Sequence, residues 1–171
     1  SLLRFDTSGL PAGATINGAK LAFYVYDKQD DSTRNLVGQW YDHGGTIDTG
    51  DYTSTIPASN HATFAGSKSI ASFNELDYDE ITLSSNAAAN ISTTGNTGIR
   101  LFIDGGAPGS DERNFIKFSA NLTKNTSGWY DRQYNNIAET AQSWDISSRG
   151  DNGQHGARLY VLYNDADLTG I

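Results

Sequence analysis

The sequence predicts an all-β fold, an antiparallel β-sandwich or jelly roll of about eight strands with long loops and one short helical turn. Several short segments alternate their side chains with a period of two, which is the pattern of strands. The segments between them are rich in Gly, Asn, Ser and Thr, and 18 of the 171 residues are Gly, as frequent turns require. Only residues 85–91 have a helix-like composition, and a polar segment containing Gly95 follows them directly.

The predicted strands are short and are separated by turn-forming residues, so we expect a single module over residues 1–171. They cover residues 2–5, 19–26, 35–41, 69–73, 80–83, 99–103, 114–120 and 158–163, with 144–148 as a further candidate. Segment 19–26 is interpreted as a central strand of a packed sheet, because both of its faces are largely apolar. One face contains Leu21, Phe23 and Val25, and the other contains Ala22, Tyr24 and Tyr26.

Two segments lack a clear period. Residues 42–60 predict a long loop, and long loops on sandwiches often carry function. Residues 121–143 are polar and aromatic, and they are interpreted as an insertion.

Composition and charge exclude several classes of partner. The formal net charge of −8 repels phosphate backbones and anionic membrane surfaces, so we expect neither nucleic-acid binding nor membrane insertion. No residue is Cys, so the fold uses no disulfide and no thiolate metal site. The chain opens on Ser1-Leu2-Leu3, already within a predicted strand. We therefore expect a fragment of a longer chain whose N-terminal strand is missing.

The sequence contains no recognisable catalytic motif. His43, His61 and His155 lie in separate polar segments, whereas nucleophilic catalysis needs a base beside the nucleophile. The Gly-x-Ser-x-Gly pattern of many hydrolases does not occur in the sequence, and no pair of acids stands out for glycoside hydrolysis. We therefore expect a non-catalytic protein.

Acidic residues cluster in several predicted turns, and two of these turns are the preferred candidates for calcium binding. Ca²⁺ prefers several oxygen ligands from loops of this kind. The same residue types also favour turns that bind nothing, so both interpretations stay open. The two groups, in order of preference, are Asp104, Asp111 and Glu112, and then Asp27, Asp30 and Asp31.

Aromatic residues in the segments without a clear period are candidates for contact with a ligand or a partner. Exposed rings beside hydrogen-bonding groups are favoured in sugar-binding and protein-binding surfaces alike. For the insertion, a glycan site, a protein contact and a plain loop all stay open. The candidates are Trp129, Tyr130, Arg132 and Tyr134 in the insertion, with Tyr41 and Tyr52 at or within the long loop.

Three segments carry a family resemblance. They are SLLRFDTSGLPAGATI followed by AKL within residues 1–21, ISTTGNTGIRL at residues 91–101, and ISSR at 146–149 followed by ARLYVLY at 157–163. In order and spacing they resemble the DNRLRE domain, a secreted β-sandwich module. That family is related to carbohydrate-binding modules of polysaccharide-degrading enzymes, and similar sequences occur in surface proteins and phage structural proteins. The resemblance implies an extracellular, cell-surface or virion location.

Charged residues in these segments are expected to support the architecture. Arg4 lies among apolar neighbours on a short strand, and a buried guanidinium is costly unless it is paired. Asp6 and Asp151 are the candidate partners of Arg4. The acid that the family pattern expects directly after Arg149 is replaced by Gly150, and Asp151 follows.

Two functions follow from these expectations. The first is a structural or adhesion module of a cell-surface, filament or virion assembly, in a larger chain or a homo-oligomer, with neighbouring protein subunits as partners. The alternative is a glycan-binding module, appended to a polysaccharide-active enzyme, with polysaccharide as its partner.

Overall fold

The chain folds into two antiparallel sheets, as the sequence predicts. The computed structural model describes residues 1–42, 63–105, 109–118, 129–133, 141–147 and 157–164, with only the backbone described for 129–133 and 141–147. One sheet has four strands in the order β1-β6-β3-β4. The other has six, in the order β5-β2-β10-β9-β8, with β7 also paired to β2. The strands are β1 (Leu2–Asp6), β2 (Thr15–Asp30), β3 (Asn35–Trp40), β4 (Thr63–Ser69), β5 (Asp77–Thr82), β6 (Asn96–Ile103), β7 (Asn114–Phe118), β8 (Trp129–Gln133), β9 (Ala141–Ser147) and β10 (Arg158–Asn164).

The core lies between the two sheets, because alternate residues of each strand face the same side. The inward residues are almost fully buried, and together they form one cluster. The four-stranded sheet contributes Leu3, Phe5, Leu36, Trp40, Ala65, Ile99 and Leu101, and the six-stranded sheet contributes Leu21, Phe23, Val25, Ile81, Leu159, Val161 and Tyr163.

Strand β2 organises the six-stranded sheet. It pairs with β5 along one edge, and with β10 and then β7 along the other edge. The ladder with β7 is irregular between Val25 and Asp27, which places a bulge at Tyr26. Segment 19–26 is therefore a central strand, as predicted. Only one of its two faces packs into the core, however, because Tyr24 on the other face is half-buried and Tyr26 is exposed to solvent.

The two sheets meet closely where β4 passes β5. The Ser85 N–H donates to the Ala65 carbonyl at 3.0 Å, and the Trp40 indole Nε1 donates to the Ser85 carbonyl at 2.7 Å. A Cβ atom on Gly66 would lie 1.8 Å from the Thr82 carbonyl oxygen. Only a residue without a side chain fits at this contact.

Several predicted elements are corrected by the structure. Residues 69–73 are not a strand, because β4 ends at Ser69 and a 3-10 helix, Ile70–Ser72, follows it. The Ile70 N–H donates to the Arg34 carbonyl, so the chain turns at this point. The insertion is not a plain loop in its described parts, since β8 and the first part of β9 lie within it. Most of the predicted loop 42–60 lies outside the described residues.

The predicted helical turn is confirmed as α1 (Ala87–Asn90). In the described ranges, no helix is long and apolar enough to cross a membrane.

Candidate functional site

Three tyrosine rings and one guanidinium group lie together on the outer side of the six-stranded sheet. The ring centroids of Tyr24 and Tyr26 are 5.0 Å apart, and those of Tyr24 and Tyr78 are 5.7 Å apart, with edge-on contacts in both pairs. The guanidinium carbon of Arg158 lies 4.3 Å from the centroid of the Tyr78 ring. We call Tyr24, Tyr26, Tyr78 and Arg158 the tyrosine face.

Sheet register brings these residues together from three strands. Tyr24 on β2 is directly opposite Tyr78 on β5, and Arg158 on β10 is directly opposite Ala22 on β2. Cross-strand partners share a face of the sheet, and diagonal neighbours lie within reach of long side chains. Because Ala22 is small, the Arg158 side chain can extend over it towards Tyr78.

The tyrosine face is partly open to solvent. Tyr26 is 42 % exposed, and Tyr24, Tyr78 and Arg158 are half-buried. The exposed ion pair between Lys20 and Glu80 lies along the same strands. The surface therefore combines apolar rings with hydroxyl, guanidinium and carboxylate groups.

A second row of residues crosses the same sheet beside this cluster. Tyr160 on β10 is in register with Lys20 on β2 and with Asp145 on β9. Asp145 is in turn in register with Tyr130 on β8. The predicted contact residue Tyr130 thus belongs to a strand of the sheet that carries the tyrosine face.

Such a surface can bind a flat, amphipathic molecule. Aromatic rings offer apolar faces, and the Tyr hydroxyl and Arg groups offer hydrogen bonds. Two edge-on contacts and one cation–π contact hold the rings in place, so little conformational freedom is lost when a ligand binds.

The sequence does not predict the tyrosine face, because Tyr24 and Tyr26 are interpreted as one apolar face of a strand that is packed on both sides. The signal was nevertheless present. The face that includes Lys20, Ala22 and Tyr24 carries a charge and hydroxyl-bearing rings, whereas Leu21, Phe23 and Val25 are wholly apolar. A strand with this asymmetry faces solvent on one side.

The predicted contact residues that the structure describes do not all lie on one sheet. Tyr41 is only 5 % exposed, and its backbone N–H donates to the Gly98 carbonyl at 3.1 Å. Trp129, Tyr130 and Arg132 lie on β8 at one edge of the six-stranded sheet. Tyr52 and Tyr134 lie outside the described residues.

The two acidic turns predicted for calcium do lie side by side. The Asp31 N–H donates to the Arg113 carbonyl, and the Arg113 N–H donates back to the Asp31 carboxylate at 2.8 Å. The Ser32 hydroxyl donates to Glu112 at 2.6 Å. The turn after β2 is thus joined to the turn before β7.

The carboxylates in these turns already accept hydrogen bonds from the protein. Asp104 accepts the backbone N–H and the side-chain amide of Asn35, each at 2.8 Å, and these bonds lower its pKa. Bonds from the side chain of Gln29 and the backbone of Arg113 lower the pKa of Asp31. Bonds from the Ser32 hydroxyl and the backbone of Gly109 lower the pKa of Glu112.

The remaining members of the two groups are engaged or exposed. Asp30 accepts the backbone N–H groups of Arg34 and Ala71, Asp27 pairs with Lys117 at 2.7 Å, and Asp111 is exposed. Across the described part of the chain, no group of three or more His, Cys, Asp or Glu side chains is placed to hold a metal ion. Calcium binding stays a prediction.

The expected burial of Arg4 is wrong. Leu3 and Phe5 take the core side of β1, so Arg4 faces outward and is exposed. Asp6 accepts the backbone N–H and the hydroxyl of Ser8, at 3.0 and 2.6 Å, and it thereby stabilises the turn after β1. Arg149 and Asp151 lie outside the described residues.

Comparisons of the chain with family models, with curated proteins and with solved structures found no match. The resemblance to the DNRLRE domain therefore stays a prediction.

Proposed function

We propose that this chain is a non-catalytic, extracellular adhesion module that binds polysaccharide through its tyrosine face. The observation that supports it is the cluster of Tyr24, Tyr26 and Tyr78 on the outer side of the six-stranded sheet, with Arg158 above the Tyr78 ring. The apolar faces of sugar rings pack on aromatic rings, and sugar hydroxyls pair with Tyr and Arg groups. The net charge of −8 favours a neutral polysaccharide over an acidic one.

The carboxyl groups support a non-catalytic role. A general acid needs a raised pKa so that it holds a proton near neutral pH. Among the described carboxyl groups with a shifted pKa, every shift is downward; these are Asp6, Asp31, Asp79, Asp104 and Glu112. Each of them accepts hydrogen bonds from neighbouring groups that hold turns or strands in place.

The proposal is tested by binding to soluble neutral polysaccharides. Affinity electrophoresis through gels containing xylan, galactomannan or mixed-linkage β-glucan should slow the wild-type protein in at least one gel. Tyr26→Ala should then weaken that binding by about tenfold or more, because a central aromatic contact contributes on the order of 1–2 kcal/mol. Tyr26→Phe, which keeps the ring, should retain most of the affinity.

The control is an exposed aromatic residue on the other sheet. Phe64 on β4 is 48 % exposed, so Phe64→Ala removes a comparable apolar surface away from the tyrosine face. We expect this variant to bind like wild type. If Tyr26→Ala and Phe64→Ala lose equal affinity for the polysaccharide, the tyrosine face is not the binding surface. The same conclusion follows if no gel slows the wild-type protein.

A structural role in an assembly is the second candidate, and the position of β1 favours it. In the described sheet order, β1 is an outer strand of the four-stranded sheet, and outer strands can template pairing with another chain. Light scattering over a hundredfold range of protein concentration tests this role. A mass that rises with concentration supports assembly, whereas a constant monomer mass contradicts it.

A further inference from the structure

Two β-bulges meet at Val25, one on each edge of strand β2. On the side of β7, the ladder passes from Val25 to Asp27 and leaves Tyr26 out of register. On the side of β5, Val25 is in register with Asp77, and its carbonyl accepts the N–H of the preceding residue, Leu76, at 2.7 Å. Two consecutive residues thus face one residue of β2, which is the arrangement of a bulge.

Leu76 takes an unfavourable backbone conformation in this bulge. Its φ is +59°, in the left-handed region, where Gly is usual and Asn is among the better tolerated of the other residues. Burial of the side chain does not offset this cost, because Leu76 is 71 % exposed. An exposed Leu in a left-handed conformation breaks two local rules at once, and such positions concentrate at functional sites.

The same two bulges carry exposed apolar side chains. In the described part of the chain, the exposed large hydrophobic residues are Tyr26, Phe64 and Leu76. Phe64 is on the other sheet, whereas Tyr26 and Leu76 are the bulged residues on either side of Val25. Bulges redirect side chains and are frequent next to functional sites. The irregular backbone therefore presents two apolar groups at one end of the tyrosine face.

We propose that Leu76 is a further ligand contact of the tyrosine face, an inference that rests on the proposed function. Leu76 precedes Tyr78 by two residues, and its hydrogen bond to Val25 places its backbone beside that of Tyr26. Because the inner side of this sheet packs against the core, a side chain this exposed projects from the outer side or from the sheet edge.

The chemistry of Leu76 indicates which part of the ligand it meets. Its side chain has no hydrogen-bonding group, so it contacts an apolar C–H face of the polysaccharide and not a hydroxyl group. A polysaccharide that packs on the Tyr26 ring and continues past it covers Leu76 as well. Binding then removes the apolar surface of Leu76 from water, which strengthens the complex.

Substitution of Leu76 separates binding from stability. Leu76→Asn removes the apolar side chain and supplies a residue that adopts the left-handed conformation more readily. It should leave the thermal midpoint of unfolding unchanged or raise it, and it should weaken polysaccharide binding at least about threefold through the lost apolar contact. A residue with a purely structural role would show the opposite, a lower midpoint with unchanged binding. Leu76→Met, which keeps an apolar side chain, should retain most of the affinity.

The experiment is affinity electrophoresis in the polysaccharide gel that slows the wild-type protein, with thermal unfolding of each variant. Leu, Asn and Met are all uncharged, so mobility in a gel without polysaccharide stays equal and a difference between gels measures binding. Tyr26→Ala is run beside the Leu76 variants to test the face itself, and Phe64→Ala on the other sheet is the control that should bind like wild type.

Three results would show that Leu76 is not a ligand contact. In the first, Tyr26→Ala weakens binding and Leu76→Asn does not, so the tyrosine face binds polysaccharide without Leu76. In the second, Leu76→Asn lowers the thermal midpoint, so Leu76 stabilises the fold instead. In the third, Leu76→Met loses as much affinity as Leu76→Asn. If no gel slows the wild-type protein, the proposed function itself fails, and Leu76 has no polysaccharide to contact.

Discussion

At the scale of single residues, an ion pair between Lys68 and Asp79 joins the edges of the two sheets. Lys68 is on β4 and Asp79 is on β5, and their side chains are 25 % and 9 % exposed. Burial alone would raise the pKa of Asp79, but bonds from Lys68 and from the backbone N–H groups of Asn74 and Glu80 lower it overall. The carboxylate therefore stabilises the fold in its charged form.

Replacing this carboxylate should destabilise the protein in a pH-dependent way. Asp79→Asn should lower the free energy of unfolding by about 1–3 kcal/mol at pH 7, since it removes the charged acceptor of three hydrogen bonds. Because the pKa is lowered on folding from its ordinary value of 3.8, this stabilisation exists above pH 3.8 and disappears as the pH falls through the folded-state pKa. Urea unfolding at pH 7 and pH 3 measures both effects.

The control for this variant is the exposed ion pair of Asp27 with Lys117, whose side chains are 45 % and 64 % exposed. Asp27→Asn should cost at most about 1 kcal/mol, because exposed pairs contribute little. If Asp79→Asn and Asp27→Asn lower the free energy of unfolding equally, the Lys68–Asp79 pair contributes no more to stability than an exposed ion pair.

A side chain at position 66 should be poorly tolerated. In Gly66→Ala, the new Cβ would approach the Thr82 carbonyl oxygen to 1.8 Å, so β4 must move away from β5. We expect a loss of at least about 2 kcal/mol in the free energy of unfolding. Gly95→Ala is the control, because its Cβ would meet its nearest neighbour at an ordinary 3.5 Å. Thermal unfolding that is unchanged in Gly66→Ala would contradict the close contact.

At the scale of elements, the sequence identifies strands with strong alternation and misses those without it. β2, β6 and β10 have regular apolar positions, and each was predicted. β4 was missed because Gly66, Ser67 and Lys68 break its pattern. The bulge around Ala65 in its ladder with β3 breaks the alternation further. β8 carries no regular apolar face, so only its pairing with β9 defines it as a strand.

The candidate site was harder to predict than the strands. Alternation shows that Tyr24 and Tyr26 share a face, but it does not show which face meets the core when both contain large rings. Tyr78 and Arg158 join them through register between strands that are more than 50 residues apart in sequence. Single-sequence periodicity contains no information about such pairings.

The central position of β2 leads to a prediction for hydrogen exchange. The amide of Phe23 should exchange at a rate set by global unfolding, because Phe23 is fully buried and is in register with Asp79 on β5 within the six-stranded sheet. The amide of Leu3, on the outer strand β1, should exchange faster through local opening. NMR-detected exchange at neutral pH checks this order, and slower exchange at Leu3 than at Phe23 would contradict the assignment of β1 as an outer strand.

At the scale of the whole molecule, the two sheets share one core and present two different outer surfaces. The six-stranded sheet carries the tyrosine face, and the four-stranded sheet presents Arg4 and Phe64 to solvent. The acidic residues with lowered pKa values hold the turns and the sheet edges that keep these surfaces in place, as at Asp31 and Asp104.

Global stability should therefore fall in acid. The unshifted pKa values of the five affected carboxyl groups are 3.8 for Asp and 4.5 for Glu, and folding lowers each of them. The unfolded chain then binds more protons than the folded one below about pH 5, so the free energy of unfolding decreases as the pH falls. Thermal midpoints measured from pH 7 to pH 2 should decrease, with the steepest change below pH 4.5. A thermal midpoint that rises as the pH falls below 4.5 would contradict the lowered pKa values of these carboxyl groups.

The most direct test of the central claim is to locate a bound oligosaccharide on the protein. Protein labelled with ¹⁵N and ¹³C is titrated with a hexasaccharide, taken from the polysaccharide that slows the protein most in affinity electrophoresis. The NMR signals that shift are then assigned to residues. We predict that the largest changes occur at Tyr24, Tyr26, Tyr78 and Arg158. Changes confined to the four-stranded sheet, with the ring signals of Tyr24, Tyr26 and Tyr78 unmoved at saturation, would contradict the claim that this face binds polysaccharide.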